Sequence, residues 1–256
     1  MASPESEEFV RGFARGLAVI EAMGDGAPSK TIAEIAQVAH LPRSVVKRLV
    51  LTLCELRFAD TDGKLFRLTP RVLKLGLSWL QSLPFWRYAQ PVLEELRTRT
   101  EESCSIAVLD GEDIVYVLRV PSKHILATSL SVGSRLPAHA VSLGQVLLAH
   151  LDETQLRHYF ESVDLKARTP RTLTSESKLR QVLKTVRQKG YAWVDGELDV
   201  AICGIAVPVR DGEGRAIAAI NVSLISGAWN ESSARERFLV PLRHAAEQIR
   251  PAMLHG

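Results

Sequence analysis

The chain has 256 residues, 46% hydrophobic and 24% charged, with 16 glycines and 12 prolines. This is an ordinary globular composition, long enough for one or two domains; it excludes a disordered tail, a collagen-like fibre and a disulfide-stapled miniprotein. The net charge of +3 decides little for the chain as a whole.

Cys54, Cys104 and Cys203 fit no zinc spacing and are expected as buried apolar thiols in a reducing compartment. Met1 to Glu8 lacks the basic-then-apolar order of a secretory signal. No run approaches about 18 uncharged apolar residues. The expectation is a cytoplasmic protein with no membrane partner, no metal and no cofactor.

In chain order, Phe9, Phe13, Leu17 and Ile20 form one apolar stripe of an amphipathic helix, which Gly24-Asp25-Gly26 ends. A second helix fits Thr31 to Ala39. Glu34 stands three residues after Thr31, the spacing of a capping box. Pro42 opens a third helix to about Phe58, with Val46, Leu49, Val50, Leu53 and Leu56 inward. Arg43, Ser44, Lys47 and Arg48 fall on its exposed N-terminal side. Two short helices joined by a tight turn, the second starting polar and basic, describe a helix-turn-helix whose second helix suits the major groove.

Asp62-Gly63 then marks a hairpin between two short strand-like runs, the wing of a winged helix, with Lys64 near its tip. Residues 42–74 carry eight Lys or Arg against three Asp or Glu. A solvated helix face explains such a run on its own. Its coincidence with the basic helix and the hairpin favours duplex DNA as partner.

From Pro70 to Leu80 a leucine-rich helix connects to the rest of the chain, and Leu83-Pro84 breaks it. Pairing with its copy in a dimer and packing on its own domain are equally compatible with this pattern. Phe85 to Glu102 follows as an amphipathic helix, with Trp86, Ala89, Val92, Leu93 and Leu96 on one face. Strands are expected at Cys104–Leu109, Ile114–Val120, Ile125–Leu130, Tyr191–Val194, Ile202–Val209 and Ala216–Leu224. Helices are expected at Leu143–Leu151, Glu153–Phe160, Glu176–Lys189 and Ser232–Met253, the last with a kink or break at Pro241. Hairpins with helices between them give an α+β plan, an antiparallel sheet with helices on one side. The domains are then a winged helix-turn-helix over 1–69, a linker helix over 70–84 and a second domain over 85–256.

Motifs of nucleophilic, phosphate-binding, dinucleotide-binding or zinc chemistry are missing from this second domain. It reads as a sensor or interaction domain. The rival reading is an enzyme with a DNA-binding-like accessory domain, in which Cys203, His139 and Asp195 are the residues to suspect.

Phe13–Ile20, Ile32–Ala36, Leu41–Leu49 and Leu51–Leu53 resemble the helix-turn-helix of the IclR family of bacterial transcriptional regulators. Val132–Ala140, Leu143–Ala149, Lys189–Ala192, Ile205–Val209 and Ala218–Ser223 resemble that family's effector domain. The resemblance implies a winged helix, a linker helix and a GAF-like effector domain that binds a small organic acid. It implies a homo-oligomer, dimer or dimer of dimers, on a palindromic promoter operator.

Carried over residue by residue, it places Ser142 and Leu143 at a helix start, where free N–H groups suit a carboxylate. Val194 or Asp195, Ile202, Gly204, Asn221 and Ser223 line the rest. Asn221 and Ser223, two apart on one strand, share a face. Arg119-Val120-Pro121 and the Arg135–Gly144 stretch resemble regulators of aromatic-acid breakdown, of the protocatechuate and 4-hydroxybenzoate type. Ala201-Ile202-Cys203-Gly204 stands where relatives often carry Gly-Leu-Arg-Ser, so an arginine able to pair a carboxylate is missing there.

Overall fold

The computed structural model describes residues 8–83, 85–122 and 130–250. The chain divides into two compact units, Met1–Gln81 and Ser82–Gly256. The expected strand Ile125–Leu130 lies, except for Leu130, outside the described residues, as does the end of the expected last helix.

The first unit opens with α1 (Arg11–Gly24), α2 (Ile32–Val38) and α3 (Arg43–Glu55). The hairpin of β1 (Ala59–Thr61) and β2 (Phe66–Leu68) follows, and after a 3-10 turn comes α4 (Leu73–Ser82). Thr31 caps α2 in the expected box: its hydroxyl accepts from the Glu34 N–H while the Glu34 carboxylate accepts from the Thr31 N–H. Val19, Ala22, Met23, Ile35, Val46, Val50, Leu53 and Phe66 make one core.

Lys30 ties the hairpin to the helices. Its backbone pairs with Phe66, and its buried Nζ donates to the carbonyls of Met23, Asp25 and Ala27. A buried ammonium with three acceptors keeps its donors satisfied and holds the chain between α1 and α2.

Two expectations for this unit are corrected. The middle of the α1 stripe does not enter the core: Phe13 is 69% and Leu17 44% exposed, while Ile20 packs against it. Val19, Ala22 and Met23 are the residues that α1 buries. The third helix stops at Glu55, not Phe58, because Arg57 takes a left-handed turn (φ 62°), and this leaves Leu56 exposed.

In the second unit, α5 (Trp86–Thr100) leads into β3 (Ser103–Asp110) and β4 (Asp113–Val120). Then come β5 (Arg135–Pro137), α6 (Ser142–Ala149), α7 (Glu153–Ser162) and α8 (Glu176–Lys189). The unit closes with β6 (Ala192–Asp195), β7 (Ile202–Arg210), β8 (Ala216–Ile225) and α9 (Glu231–Ile249). The strands make one antiparallel sheet in the order β5-β4-β3-β8-β7-β6.

Helices cover both faces of this sheet, not one. Ala107, Tyr116, Ala192, Ala206 and Ala219 pack with α6 and α8. The alternate residues Ile205, Val207, Ile220 and Val222 are equally buried and face the other way, toward α5 and α9. The continuous apolar character of β3, β7 and β8 follows from this double burial. α9 runs through Pro241 without a break.

Candidate functional site

Two sets of residues qualify, one in each unit. On α3, Arg43, Ser44, Lys47 and Arg48 are all exposed, opposite the buried Val46, Val50 and Leu53. They sit in the first two turns, the part of a recognition helix that meets base edges. At the wing tip, the Asp62 carboxylate accepts from the N–H groups of Lys64 and Leu65, and Gly63 takes φ 97°. That turn presents Lys64 to solvent.

Two arginines of the basic run are engaged internally: Arg67 pairs with Asp60, and Arg71 lies 5.0 Å over the Phe58 ring. Among the described residues, Arg43, Lys47, Arg48 and Lys64 have no carboxylate partner. An exposed cationic face without internal neutralisation is what phosphate contact requires.

The second set forms on the α6 side of the sheet. Residues directly opposite on neighbouring strands share a face. One row runs Ser103, Ser223, Gly204, Val194 across four strands. The next runs Arg119, Ser105, Asn221, Ala206, Ala192. Small residues dominate both rows, so the sheet fills little of the space beneath α6. A cleft of about 60 Å³ remains there.

Of the positions expected for an effector, Ser142, Leu143, Val194, Ile202, Gly204, Asn221 and Ser223 line this cleft. Asp195 does not. Strand alternation turns it away from Val194, and its carboxylate accepts from Arg171 Nη1 (2.8 Å) and Ser226 Oγ (2.6 Å).

Arg119 is a lining residue that the sequence reading missed as one. Its Nη1 donates to Ser105 Oγ at 3.0 Å, and no acid among the described residues pairs with it. Among the described residues, the cleft lining contains this one cation and no carboxylate. Val141 at the start of α6 offers no side-chain cap, so the first N–H groups of α6 stay available at the cleft. Tyr116, Leu130, Leu136 and Leu198 add apolar walls.

Asn221 is 5% exposed; its Nδ2 donates to Ser223 Oγ (3.1 Å), while its Oδ1 has no partner among the described residues. An unpaired buried acceptor costs about 1–3 kcal/mol, which a donor on a bound molecule removes.

The back of the cleft is pinned. Gln145 of α6 is fully buried and donates Nε2 to the His139 carbonyl (3.0 Å) and to the Glu197 carboxylate (3.3 Å). Thr169 and Thr172 donate to the carbonyls of Gly196 and Glu197, fixing the loop that carries Leu198. Burial pushes the Glu197 carboxyl up to about 7, against the lowering effect of Gln145.

The enzyme reading finds no support. Burial pushes the Cys203 thiol up to about 12, the reverse of an activated nucleophile. Asp195 is committed to Arg171 and Ser226. His139 is 2% exposed, and burial holds its imidazole below the ordinary range.

Comparison with known proteins assigns both regions of the chain to one family. Residues 13–63 match the IclR helix-turn-helix domain, and residues 77–250 match the C-terminal region of bacterial IclR transcriptional regulators. A Pca regulon regulatory protein of Pseudomonas putida is 40% identical over 243 residues, covering 94% of this chain and 84% of that protein. A p-hydroxybenzoate hydroxylase transcriptional activator of Acinetobacter baylyi is 34% identical over 96% of this chain and 92% of its own length. The crystal structure of an IclR homolog from Microbacterium hydrocarbonoxydans, complexed with 4-hydroxybenzoate, superposes with a TM-score of 0.83. It is 29% identical and covers 96% of this chain and 100% of its own. With a cationic recognition helix, a wing and a separate cleft beneath α6, this chain is a DNA-binding transcriptional regulator, not an enzyme, and belongs to the IclR family.

Proposed function

We propose that promoter binding by this regulator responds to a hydroxylated aromatic acid held in the cleft beneath α6. The carboxylate pairs with Arg119, the ring lies against Tyr116, Leu136 and Leu198, and the phenolic hydroxyl donates to Asn221 Oδ1. The observation that carries the reading is the lining as the described residues form it: one arginine, no acid, and a buried amide oxygen lacking a donor. A charge-assisted hydrogen bond in such a site is worth about 1.5–3 kcal/mol, roughly a 10- to 100-fold change in affinity.

On the DNA side, Arg43, Ser44, Lys47 and Arg48 enter the major groove, and Lys64 meets the phosphate backbone. The working form is a homodimer on a palindromic operator. Val10, Phe13 and Leu17 step along one exposed face of α1, and Leu73 and Leu77 along one of α4, all uncovered in the single chain. A second copy of the same chain covers them. The ligand acts by binding one arrangement of the two winged helices more tightly than the other.

Calorimetric titration with 4-hydroxybenzoate and benzoate tests the cleft. Arg119→Gln is expected to lose at least 10-fold in affinity for both acids. Asn221→Ala is expected to lose the preference for the hydroxylated one and to keep operator binding. No heat from the wild type, or an Arg119→Gln titration like the wild type's, overturns the assignment.

A further inference from the structure

β7 has two ends. Gly204 lies in the cleft just described; Arg210 lies six residues away, about 20 Å along an extended strand. Around Arg210 there is a second cavity of about 260 Å³, lined by Gly190, Val207 and Pro208 on one side and by Arg243, Glu247 and Arg250 of the α9 end on the other.

Arg210 is half-buried and held in a fixed pose. Its Nη1 donates to the Gly214 carbonyl (2.7 Å) and its Nη2 to His150 Nε2 (2.6 Å). His150 Nδ1 in turn lies 2.8 Å from the Val146 carbonyl, so the ring donates there and accepts from Arg210 as a neutral imidazole. Burial and the nearby Arg210 and Arg187 hold that imidazole below the ordinary range. Both acceptors of Arg210 are therefore uncharged, and among the described residues Nε and one hydrogen on each terminal nitrogen have no partner.

The neighbours sharpen the imbalance. The charges that act on Arg210 are Arg187 and Arg250, both of its own sign. Arg243 uses one N–H to cap the Lys189 carbonyl at the end of α8 (3.1 Å), and Arg187 lies 3.4 Å from the Leu151 carbonyl. Glu247 is the one acid in the cavity lining, and it forms no ion pair with these arginines among the described residues. Among the described residues, three guanidiniums (Arg210, Arg243 and Arg250) thus line a cavity with one carboxylate, and the charge of Arg187 acts on Arg210 from nearby. A half-buried guanidinium that forms no ion pair among the described residues is electrostatically incomplete. A counter-ion from solution completes it.

We infer that this cavity is a second ligand site, distinct from the α6 cleft, for a small multivalent oxyanion. Phosphate esters and polycarboxylates share that chemistry. Each presents several oxygens to guanidiniums, whose planar forks match carboxylate and phosphate geometry.

The test is thermal melting and calorimetric titration of the full-length protein with inorganic pyrophosphate and with citrate, at constant ionic strength set by potassium chloride. At ten times Kd the wild type is expected to gain about 3–6 °C in melting temperature. Arg210→Gln is expected to weaken binding at least 10-fold. Arg250→Gln, an exposed position that leaves the Gly214 and His150 contacts intact, is expected to weaken it about 3- to 10-fold. Tighter pyrophosphate binding assigns the site to phosphoryl groups, and tighter citrate binding assigns it to polycarboxylates. Titration of Arg250→Gln with 4-hydroxybenzoate is expected to match the wild type, which separates this site from the α6 cleft. The inference falls if neither anion exceeds the chloride control. It also falls if Arg210→Gln and Arg250→Gln bind pyrophosphate as the wild type does, since the cations of α3 and the wing are then its target.

Discussion

Gly144 sits in the first turn of α6, where a glycine ordinarily weakens a helix by about 1 kcal/mol relative to alanine. Here the position has no room for anything larger. A Cβ built on Gly144 meets the Ala138 carbonyl oxygen at 2.1 Å, its Cα at 2.4 Å and its carbonyl carbon at 2.5 Å. All three atoms are backbone, so no side-chain rotation relieves the contact. Restoring ordinary spacing of 3.4 Å requires α6 and the Ala138–Ala140 turn to part by more than about 1 Å. Overpacking of a tight core costs about 1–3 kcal/mol, and a clash with fixed backbone belongs at the upper end. Subtracting the gain in helix propensity leaves a net loss of about 2 kcal/mol for Gly144→Ala. In a unit of this size that lowers the melting temperature by about 4–8 °C. Scanning calorimetry of the full-length protein reads it directly. The same shift displaces Ser142 and Leu143 at the cleft, so 4-hydroxybenzoate binding weakens with it. If Gly144→Ala melts within 1 °C of the wild type, the close approach of α6 to that turn is wrong, and the cleft geometry built on it goes too.

Arg48→Ala is expected to weaken operator binding in gel-shift titrations. Lys64→Ala is expected to weaken it similarly on every sequence and to flatten the dependence of log K on log salt by about 0.9; an unchanged slope takes the wing off the backbone. Phe13→Glu buries two charges at the α1 face of a dimer and is expected to weaken self-association at least 100-fold, on about 3 kcal/mol of lost apolar burial per dimer. Sedimentation showing an undiminished dimer contradicts that interface. Glu197 binds its proton more tightly folded than unfolded, since its carboxyl is pushed up to about 7. Its contribution to stability is therefore fully present below the ordinary carboxylate range and is lost as pH rises to about 7. Glu197→Gln, which stays neutral, is expected to raise the urea midpoint at pH 8 and to change it little at pH 5; an equal effect at both pH values rejects the assignment.

Much of this architecture is legible in the sequence where one local rule governs the outcome. The capping box of Thr31 and Glu34, the Asp62-Gly63 wing and the stop of α8 at Gly190 (φ 73°) each follow from a few adjacent residues. The limits of β7 and β8 follow from a glycine-rich turn between two apolar runs. What local rules miss is what a neighbour decides. β5 is three residues long and exists because β4 supplies its partners. Phe13 and Leu17 keep the helical period of a stripe of which Ile20 alone packs on the core, because periodicity reports a shared face and not what covers it. The sequence leaves Val194 or Asp195 open at the cleft: the two alternate, and only the register Val194↔Gly204 says which of them faces α6. Arg119 carries a readable signal, the one charge in the apolar run Ile114–Val120, yet its place beside Ser105 depends on a bulge between Ile106 and Ala107.

The division of labour in the cleft has a physical origin in that register. Ser105, Asn221 and Ala206 stand side by side on three strands, with Arg119 beyond Ser105. Larger apolar residues at these positions would have closed the face onto α6 and given a more ordinary core. Gly204 makes the same point at atomic scale: a Cβ there lies 3.2 Å from Ser142 Oγ and from the Val222 carbonyl, and 3.7 Å from Asn221 Nδ2. The space that a methyl group would take is the space in which the α6 N-terminus, Asn221 and Ser223 meet. A polar group that stays incompletely paired in the empty protein costs stability, and it persists here where three neighbouring residues are small enough to leave it reachable. The cleft is therefore less stable empty than filled, and a ligand that supplies the missing donor raises the stability of the folded protein.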